Sequence, residues 1–261
     1  MSVITLTTDF GEADHYIACM KGVILQIAPA TRIVDVTHTI SPHNVVHGAF
    51  ILRQIFDCFP DGTIHVAVVD PGVGSSRRLI AARYGGQIVL APDNGLVSLI
   101  HRDFVLTELR VIENSRMFRG EISPTFHGRD ILAPVAAHLS RGVTLEPVGP
   151  IIDRLEILNL DEVRPLPDGG LEGQVLYVDH FGNLITNISS AELGQLGDAG
   201  PHMNVHVGPL RVGPLRYTYG DVNPGEIVAI IGSSGMLEVA INQGNAAAQL
   251  CAAPGTIVVV R

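Results

Sequence analysis

The sequence predicts an α/β N-terminal domain with a largely parallel sheet flanked by helices, followed by a smaller all-β C-terminal domain, an antiparallel sandwich or barrel. Three observations carry this. Through about residue 140, short β-branched runs alternate with stretches of helical periodicity. Past Pro147 the helical pattern gives way to short strands with turn signals about every eight to twelve residues. The chain also has 261 residues, 46% of them apolar and 16% charged, a length that fits one large domain or two modest ones, of which two are expected.

In chain order, Val3-Ile4-Thr5-Leu6-Thr7 reads as a strand, and Ile17, Met20, Ile24 and Ile27 then recur at helical spacing until Pro29 stops them. A strand at Arg32–Val36, a helix over Val46–Phe56 and a nearly continuous apolar strand at Ile64–Val69 follow. Unalternating strands between helices are buried on both faces, which is the habit of parallel sheets. Further strands are expected at Gln87–Ala91 and Val105–Val111, and Ile131, Leu132, Val135 and Leu139 make the stripe of another helix. The Pro- and Gly-rich stretch 164–170 reads as a linker between domains at 1–163 and 171–261. Beyond it, strands are expected at Gly173–Val178, Leu184–Asn187, Met203–Val207, Leu215–Tyr219, Glu226–Ile231, Leu237–Ile241 and Thr256–Val260. Only Ala191–Leu196, opened by the potential cap Ser190, looks helical there.

Composition narrows the partners. With 17 basic and 26 acidic side chains the net charge is −9, and no basic run is long enough to track a phosphate backbone, so nucleic acid is not expected. No apolar run reaches the ~20 residues a bilayer requires, and the N-terminus begins in a strand pattern without a basic leader, so no membrane partner is expected and the location is read as cytoplasmic. Cys19, Cys58 and Cys251 are odd in number and far apart, which fits small hydrophobes in a reducing compartment.

Ligands of an open α/β sheet sit beyond the carboxyl ends of its strands, so polar residues just after apolar runs are the candidates. The first strand ends in Thr8-Asp9-Phe10-Gly11, with Asp14 close behind. The buried strand ends in Asp70-Pro71-Gly72-Val73-Gly74-Ser75-Ser76-Arg77, Pro92-Asp93-Asn94-Gly95 follows another, and Thr125-Phe126-His127-Gly128-Arg129-Asp130 precedes a helix. Asp14 is also explicable as a helix cap and Asp93 as a turn residue. Asp9 and Asp70 are less easily explained that way, because a carboxylate after a buried strand costs desolvation energy unless something pairs with it. Asp70, Arg77 and His127 supply an anion, a cation and a base, a set able to orient and polarise a water. Gly72-Val73-Gly74 lacks the third glycine of a dinucleotide loop, and the crowded His38, His43 and His47 lack the spacing of a zinc site.

Thr8-Asp9-Phe10-Gly11, Met20-Lys21-Gly22-Val23-Ile24, Asp35-Val36-Thr37-His38, Val68-Val69-Asp70-Pro71-Gly72-Val73-Gly74, Pro92-Asp93-Asn94-Gly95, Phe126-His127-Gly128-Arg129-Asp130, Asp179-His180-Phe181-Gly182-Asn183-Leu184 and Asn242-Gln243-Gly244-Asn245-Ala246 together resemble the S-adenosylmethionine (SAM) hydrolases, or SAM hydroxide adenosyltransferases. The same superfamily holds the SAM-dependent fluorinase and chlorinase. The resemblance implies hydrolysis of SAM, or of its epimer at sulfur, to adenosine and L-methionine. It further implies no cofactor, SAM itself being the substrate, and a homotrimer with active sites at subunit interfaces. By the same resemblance Asp70, Arg77 and His127 activate water, Asp9 holds the ribose hydroxyls and Asp14 faces the methionine end. Asp179 and Ser233 take the methionine amino and carboxylate groups. Phe181 and Asn183 meet adenine together with the segment 234–243, which contains Met236 and Glu238, and Phe126 belongs to the same binding set. Gly128 stands where the fluorinase has a halide-contacting serine and the chlorinase a glycine.

The chemistry suits these residue types. A sulfonium leaves as a neutral thioether without a general acid, so only the nucleophile needs help. Hydroxide meeting a sulfonium annihilates charge, a step favoured by a site of low dielectric. Three alternatives remain at this level: a SAM-dependent halogenase, a metal-dependent phosphohydrolase using Asp9, Asp70, Asp93 and His127, and a module that binds adenosine without turnover.

Overall fold

The computed structural model describes residues 2–159, 162–167, 169–196 and 202–261, and the chain divides into two compact units, Met1–Asn159 and Leu160–Arg261. The sheet of the first unit contains β1 (Val3–Thr8), β2 (Arg32–Thr37), β3 (Ile64–Val68), β4 (Leu79–Tyr84), β5 (Gln87–Pro92) and β6 (Leu106–Val111), in the order β2-β1-β3-β5-β4-β6. β1 runs parallel to β2 and β3, and β3 parallel to β5, but β4 is antiparallel to both β5 and β6. The sheet is therefore mixed, which corrects the expectation of a largely parallel one. Its cause is a hairpin at Gly85-Gly86: Gly85 takes φ +57°, and a Cβ on Gly86 would collide with the Asp61 side chain. Leu79–Tyr84 has no alternation to mark it as a strand, and the Gly-Gly pair between two apolar runs was the available signal.

Helices cover both faces because successive β3 side chains point opposite ways. On one face Val66 and Val68 share a core with Met20 and Ile24 of α1 (Tyr16–Ile27). On the other, Ala67 and Val69 join Leu52 and Phe56 of α2 (Val45–Phe56) and Ile100 of α3 (Ser98–Asp103). Val135 and Leu139, from α4 (Ala133–Ser140), complete the first core. The last helix is entered through a π-helical turn, Gly128–Leu132, a local widening often found beside functional groups.

β3 also carries His65, fully buried. Its Nδ1 lies 2.8 Å from Thr5 Oγ1 and its Nε2 2.6 Å from Gln87 Oε1. Gln87 Nε2 donates to the carbonyls of Phe56 and Phe59, so Gln87 Oε1 is an acceptor and the ring is neutral with its proton on Nε2. Burial pushes this imidazole down to about 4.

In the second unit, β8 (Leu171–Val178), β9 (Leu184–Ser189), β10 (Asn204–Val207), β11 (Leu210–Arg216), β12 (Ile227–Ile231), β13 (Met236–Ile241) and β14 (Ile257–Val260) follow β7 (Arg164–Pro165). The strands run β14-β10-β11-β12-β13-β9-β8, and β14 pairs back onto β8, closing a seven-stranded barrel. β7 lies within the stretch expected as a linker and pairs with the start of β8. Asp168 of that stretch lies outside the described residues. Two helices border the barrel, α5 (Ser190–Gln195) and α6 (Ala246–Leu250). α5 is capped by Ser189 rather than the expected Ser190: Ser189 Oγ accepts the Glu192 N–H while the Glu192 carboxylate accepts the Ser189 N–H. α6 has too few residues to show a period and is opened by Asn245, whose side chain accepts the Ala248 N–H.

His65 gives the fold a pH dependence of definite sign. Between ~6.5 and its folded value the unfolded chain binds a proton that the folded chain does not, so stability is lost as pH falls through that window, by up to about 1.4 kcal/mol per pH unit. Replacing His65→Gln should remove one proton from the acid dependence of the melting temperature between pH 6.5 and pH 4. Thermal melts across that range measure it, whatever the variant's absolute stability.

Candidate active site

Asp70 directly follows the apolar run of β3, Arg77 precedes β4, and His127 precedes the π-helical turn. Gly74 brings the two loops together: it takes φ +79°, and a Cβ on it would stand 2.7 Å from the Pro124 carbonyl oxygen. Arg77 Nε lies 2.9 Å from both Asp70 oxygens, and Arg77 Nη2 donates to Asp70 Oδ2 and lies 2.9 Å from His127 Nδ1. The Arg77 and Asp70 side chains are only 11% and 6% exposed. A guanidinium has donors only, so His127 Nδ1 must accept, and the neutral ring carries its proton on Nε2. Desolvation and the Arg77 charge hold this imidazole below its usual value, against smaller opposing effects of Asp70 and Asp130.

The segment bearing His127 is fixed by Asp130. This fully buried carboxylate accepts from Arg129, from Arg119 and from the Ser123 N–H. Arg129 also lies over the Phe126 ring, 4.8 Å from its centroid.

A cavity of about 230 Å³ lies beside the Asp70–Arg77–His127 cluster, walled by Asp9, Phe10, Pro42, His43, Val68, Asp70, Val73, Thr125, Phe126, His127 and Gly128. Asp9 Oδ2 accepts the His43 N–H at 2.8 Å. His43 donates from a left-handed backbone, φ +64°, which a non-glycine residue adopts only under constraint. Phe126 is buried and meets Phe10 and Tyr16 edge-on. Thus five sequence candidates, Asp9, Asp70, Arg77, Phe126 and His127, fall at one place in the first unit. Pro42 was not anticipated, since its type carries no signal; Val73 and Thr125 stood only as members of the quoted polar runs, and His43 only as one of three crowded histidines.

Two candidates lie elsewhere. Asp14 is exposed, one residue ahead of the N-cap of α1, and outside the wall of this cavity. Asp93 is buried, where it accepts from Arg78 and from the Glu156 N–H, an anchor for the segment that follows α4. Asp70 and Asp93 are thus each committed to a guanidinium, and no group of three His, Cys, Asp or Glu among the described residues is arranged to hold a metal ion.

In the second unit, Asp179 organises the β8–β9 turn. Its Oδ1 accepts the N–H groups of Phe181 and Asn183, and its Oδ2 accepts from Asn183 Nδ2. Gly182 within the turn has φ +86°, and a Cβ there would collide with Asn245. Phe181 and Asn183 line a cavity of about 580 Å³ with Tyr219, Ile241 and the stretch 242–245. Phe181 is 71% exposed, high for a large apolar ring. Tyr219, which sequence reading missed, donates to the buried Glu238 carboxylate at 2.5 Å. Burial raises Glu238 above the usual carboxylate range, with the nearby Asp179 charge adding to it against the Tyr219 hydrogen bond. Ser233 is exposed in the turn between β12 and β13, and Met236 opens β13; neither is in the wall of this cavity.

A family model described as SAM hydroxide adenosyltransferase N-terminal domain matches residues 4–149, and its C-terminal-domain counterpart matches residues 173–259. The chain is 39% identical over 262 residues to an (R)-S-adenosyl-L-methionine hydrolase of Salinispora tropica, covering 97% of this chain and 95% of the relative. It is 38% identical over 255 residues to a protein of that name from Thermus thermophilus, covering 94% of each. A fluorinase of an Actinoplanes species is 30% identical over 221 residues, 75% of this chain and 74% of that one. Among solved structures, an uncharacterized conserved protein from Thermotoga maritima superposes with a TM-score of 0.92 at 36% identity, covering 98% of this chain and 99% of that one. Two family models in sequence, spanning most of both units, and hydrolases alike over nearly the full length agree: the chain belongs to the SAM hydroxide adenosyltransferase family.

Proposed function

We propose that this enzyme hydrolyses S-adenosyl-L-methionine to adenosine and L-methionine by attack of an activated water on ribose C5′. The observation that carries the reading is the single guanidinium shared by Asp70 and His127 beside a cavity that Asp9 also walls. The (R) configuration in the names of the relatives supports the (R) epimer at sulfur as preferred substrate.

In this reading the water oxygen forms the bond to C5′ as the C5′–S bond breaks, and its electron pair leaves with sulfur as a neutral thioether. One proton must be removed from the water. Arg77 already donates to His127 Nδ1, so the neutral ring has no free lone pair and offers Nε2–H to the oxygen. The Asp70 carboxylate is then the acceptor, while Arg77 and His127 stabilise the developing hydroxide. Asp9 takes the ribose hydroxyls with its unhinged oxygen, and Phe126 supports the apolar wall. Asp14 and Ser233, both exposed, serve the methionine end with Asp179. Phe181, Asn183, Met236 and Glu238 serve adenine. These binding roles rest on the family resemblance. Cofactor independence, cytoplasmic location and homotrimeric assembly belong to the same reading, and light scattering on the purified protein tests the last.

The fluorinase relatives bring in a halide as the rival nucleophile. The electrostatics support water instead: a carboxylate in the cavity wall repels a halide, whereas it serves as a base toward a neutral water. Incubation with chloride and SAM should therefore give adenosine without 5′-chloro-5′-deoxyadenosine, and EDTA should leave the rate unchanged.

Asp70→Asn keeps an oxygen for Arg77 but not a base, so kcat should fall by roughly 10²-fold or more. His127→Ala should cost about 10–10²-fold by removing one donor to the nucleophile. Single-turnover formation of adenosine and methionine in equal amounts measures both, and full kcat in the Asp70→Asn protein would overturn its role as base. The pH profile has a sign. Since His127 is held below ~6.5, activity should persist through neutral pH and fall only on the acid side, as protonation of Nδ1 expels Arg77.

A further inference from the structure

The motifs at Lys21 and at Asp35-Val36-Thr37-His38 have no part in the chemistry above, yet the structure connects them to it. His38, only 4% exposed, follows β2 where β1 ends beside it. Its Nδ1 lies 2.9 Å from Thr8 Oγ1, which in turn accepts the Phe10 N–H at 3.3 Å. The His38 carbonyl accepts the Gly11 N–H at 2.8 Å. One residue thus grips the turn Thr8–Gly11 at both ends, and Asp9 stands between the grips. The Thr8 hydroxyl can donate to Nδ1 while it accepts from Phe10. Asp35 Oδ1, 3.1 Å from Nε2, favours the tautomer with the ring proton on Nε2, although without the alignment of a full hydrogen bond. Asp35 Oδ2 is held in turn by Lys21 Nζ of α1.

We infer that His38, braced by Asp35 and Lys21, is a positioning residue for ribose recognition: it fixes the turn that aims the Asp9 carboxylate into the cavity. In that tautomer the donors run one way, from Phe10 through Thr8 and His38 toward Asp35, so the turn is coupled to the salt bridge between Asp35 of β2 and Lys21 of α1. None of these three side chains walls the cavity, so the effect passes through Asp9. The inference rests on the reading of Asp9 as the ribose ligand.

The experiment compares SAM with its 2′-deoxyribose analogue in wild type, Asp9→Asn, His38→Ala and the double variant. Expected in His38→Ala is a rise in KM for SAM of about tenfold, the size of one lost hydrogen bond to a charged group, with a smaller change in kcat. The preference for SAM over the deoxy analogue should shrink toward that of Asp9→Asn. The double variant should be no worse than Asp9→Asn alone, and His38→Asn, which restores a polar atom near the position of Nδ1, should recover part of the preference. If His38→Ala fails to fold by circular dichroism, Asp35→Asn at its 40% exposed side chain carries the same comparison. A preference for the 2′-hydroxyl unchanged in folded His38→Ala, or additive losses in the double variant, overturns the inference. A preference unchanged in Asp9→Asn overturns it as well and is distinguishable, because then the reading of Asp9 has failed.

Discussion

The site depends on one desolvated cation. The Arg77 guanidinium lies almost out of water, where its charge is tolerable only because Asp70 neutralises it and is gripped by three of its hydrogen-bond contacts. Removing either partner would leave an uncompensated buried charge, typically a loss of ~3–5 kcal/mol. The same pair fixes the tautomer of His127, so charge balance and proton placement are set by one contact. The loops that carry the pair are brought into register by Gly74, and the segment of His127 by the Asp130 arginine clasp.

This arrangement explains why the site sits where strands end. β3 is buried on both faces and has no place for a carboxylate along its length. The chain can present one only after the strand has left the core, and Asp70 occupies that point as Asp9 does after β1. The π-helical turn after His127 plays the matching part from the helix layer. It begins at Gly128, which stands beside Phe126 and His127 in the cavity wall.

Much of this was legible in the amino-acid order. The apolar runs at Ile64–Val69 and Val3–Thr7 mark the central strands, and the polar residues that follow them mark the site. Asp93 follows the same rule yet is committed to Arg78, because spacing alone does not distinguish a carboxylate that faces a ligand from one that anchors a loop. The mixed sheet escaped for a different reason: direction depends on the connection, and a two-glycine turn reverses the chain where a helix would have kept it parallel. Tyr219 and Pro42 were beyond sequence reading because only tertiary folding brings them to a cavity. Most barrel strands were found by their turns, but β11 runs over Leu210–Arg216 where a strand at Leu215–Tyr219 was expected, and α6 is too short for periodicity to reveal.

His43 adds a restriction of a different kind. Its backbone amide tethers one oxygen of Asp9, and the left-handed conformation that makes this possible is open to few side chains. A hydrogen bond to one oxygen biases the rotation of the carboxylate that helps to wall the cavity. In the proposed reading, the carboxylate that meets the ribose has its orientation set in part by a single backbone amide.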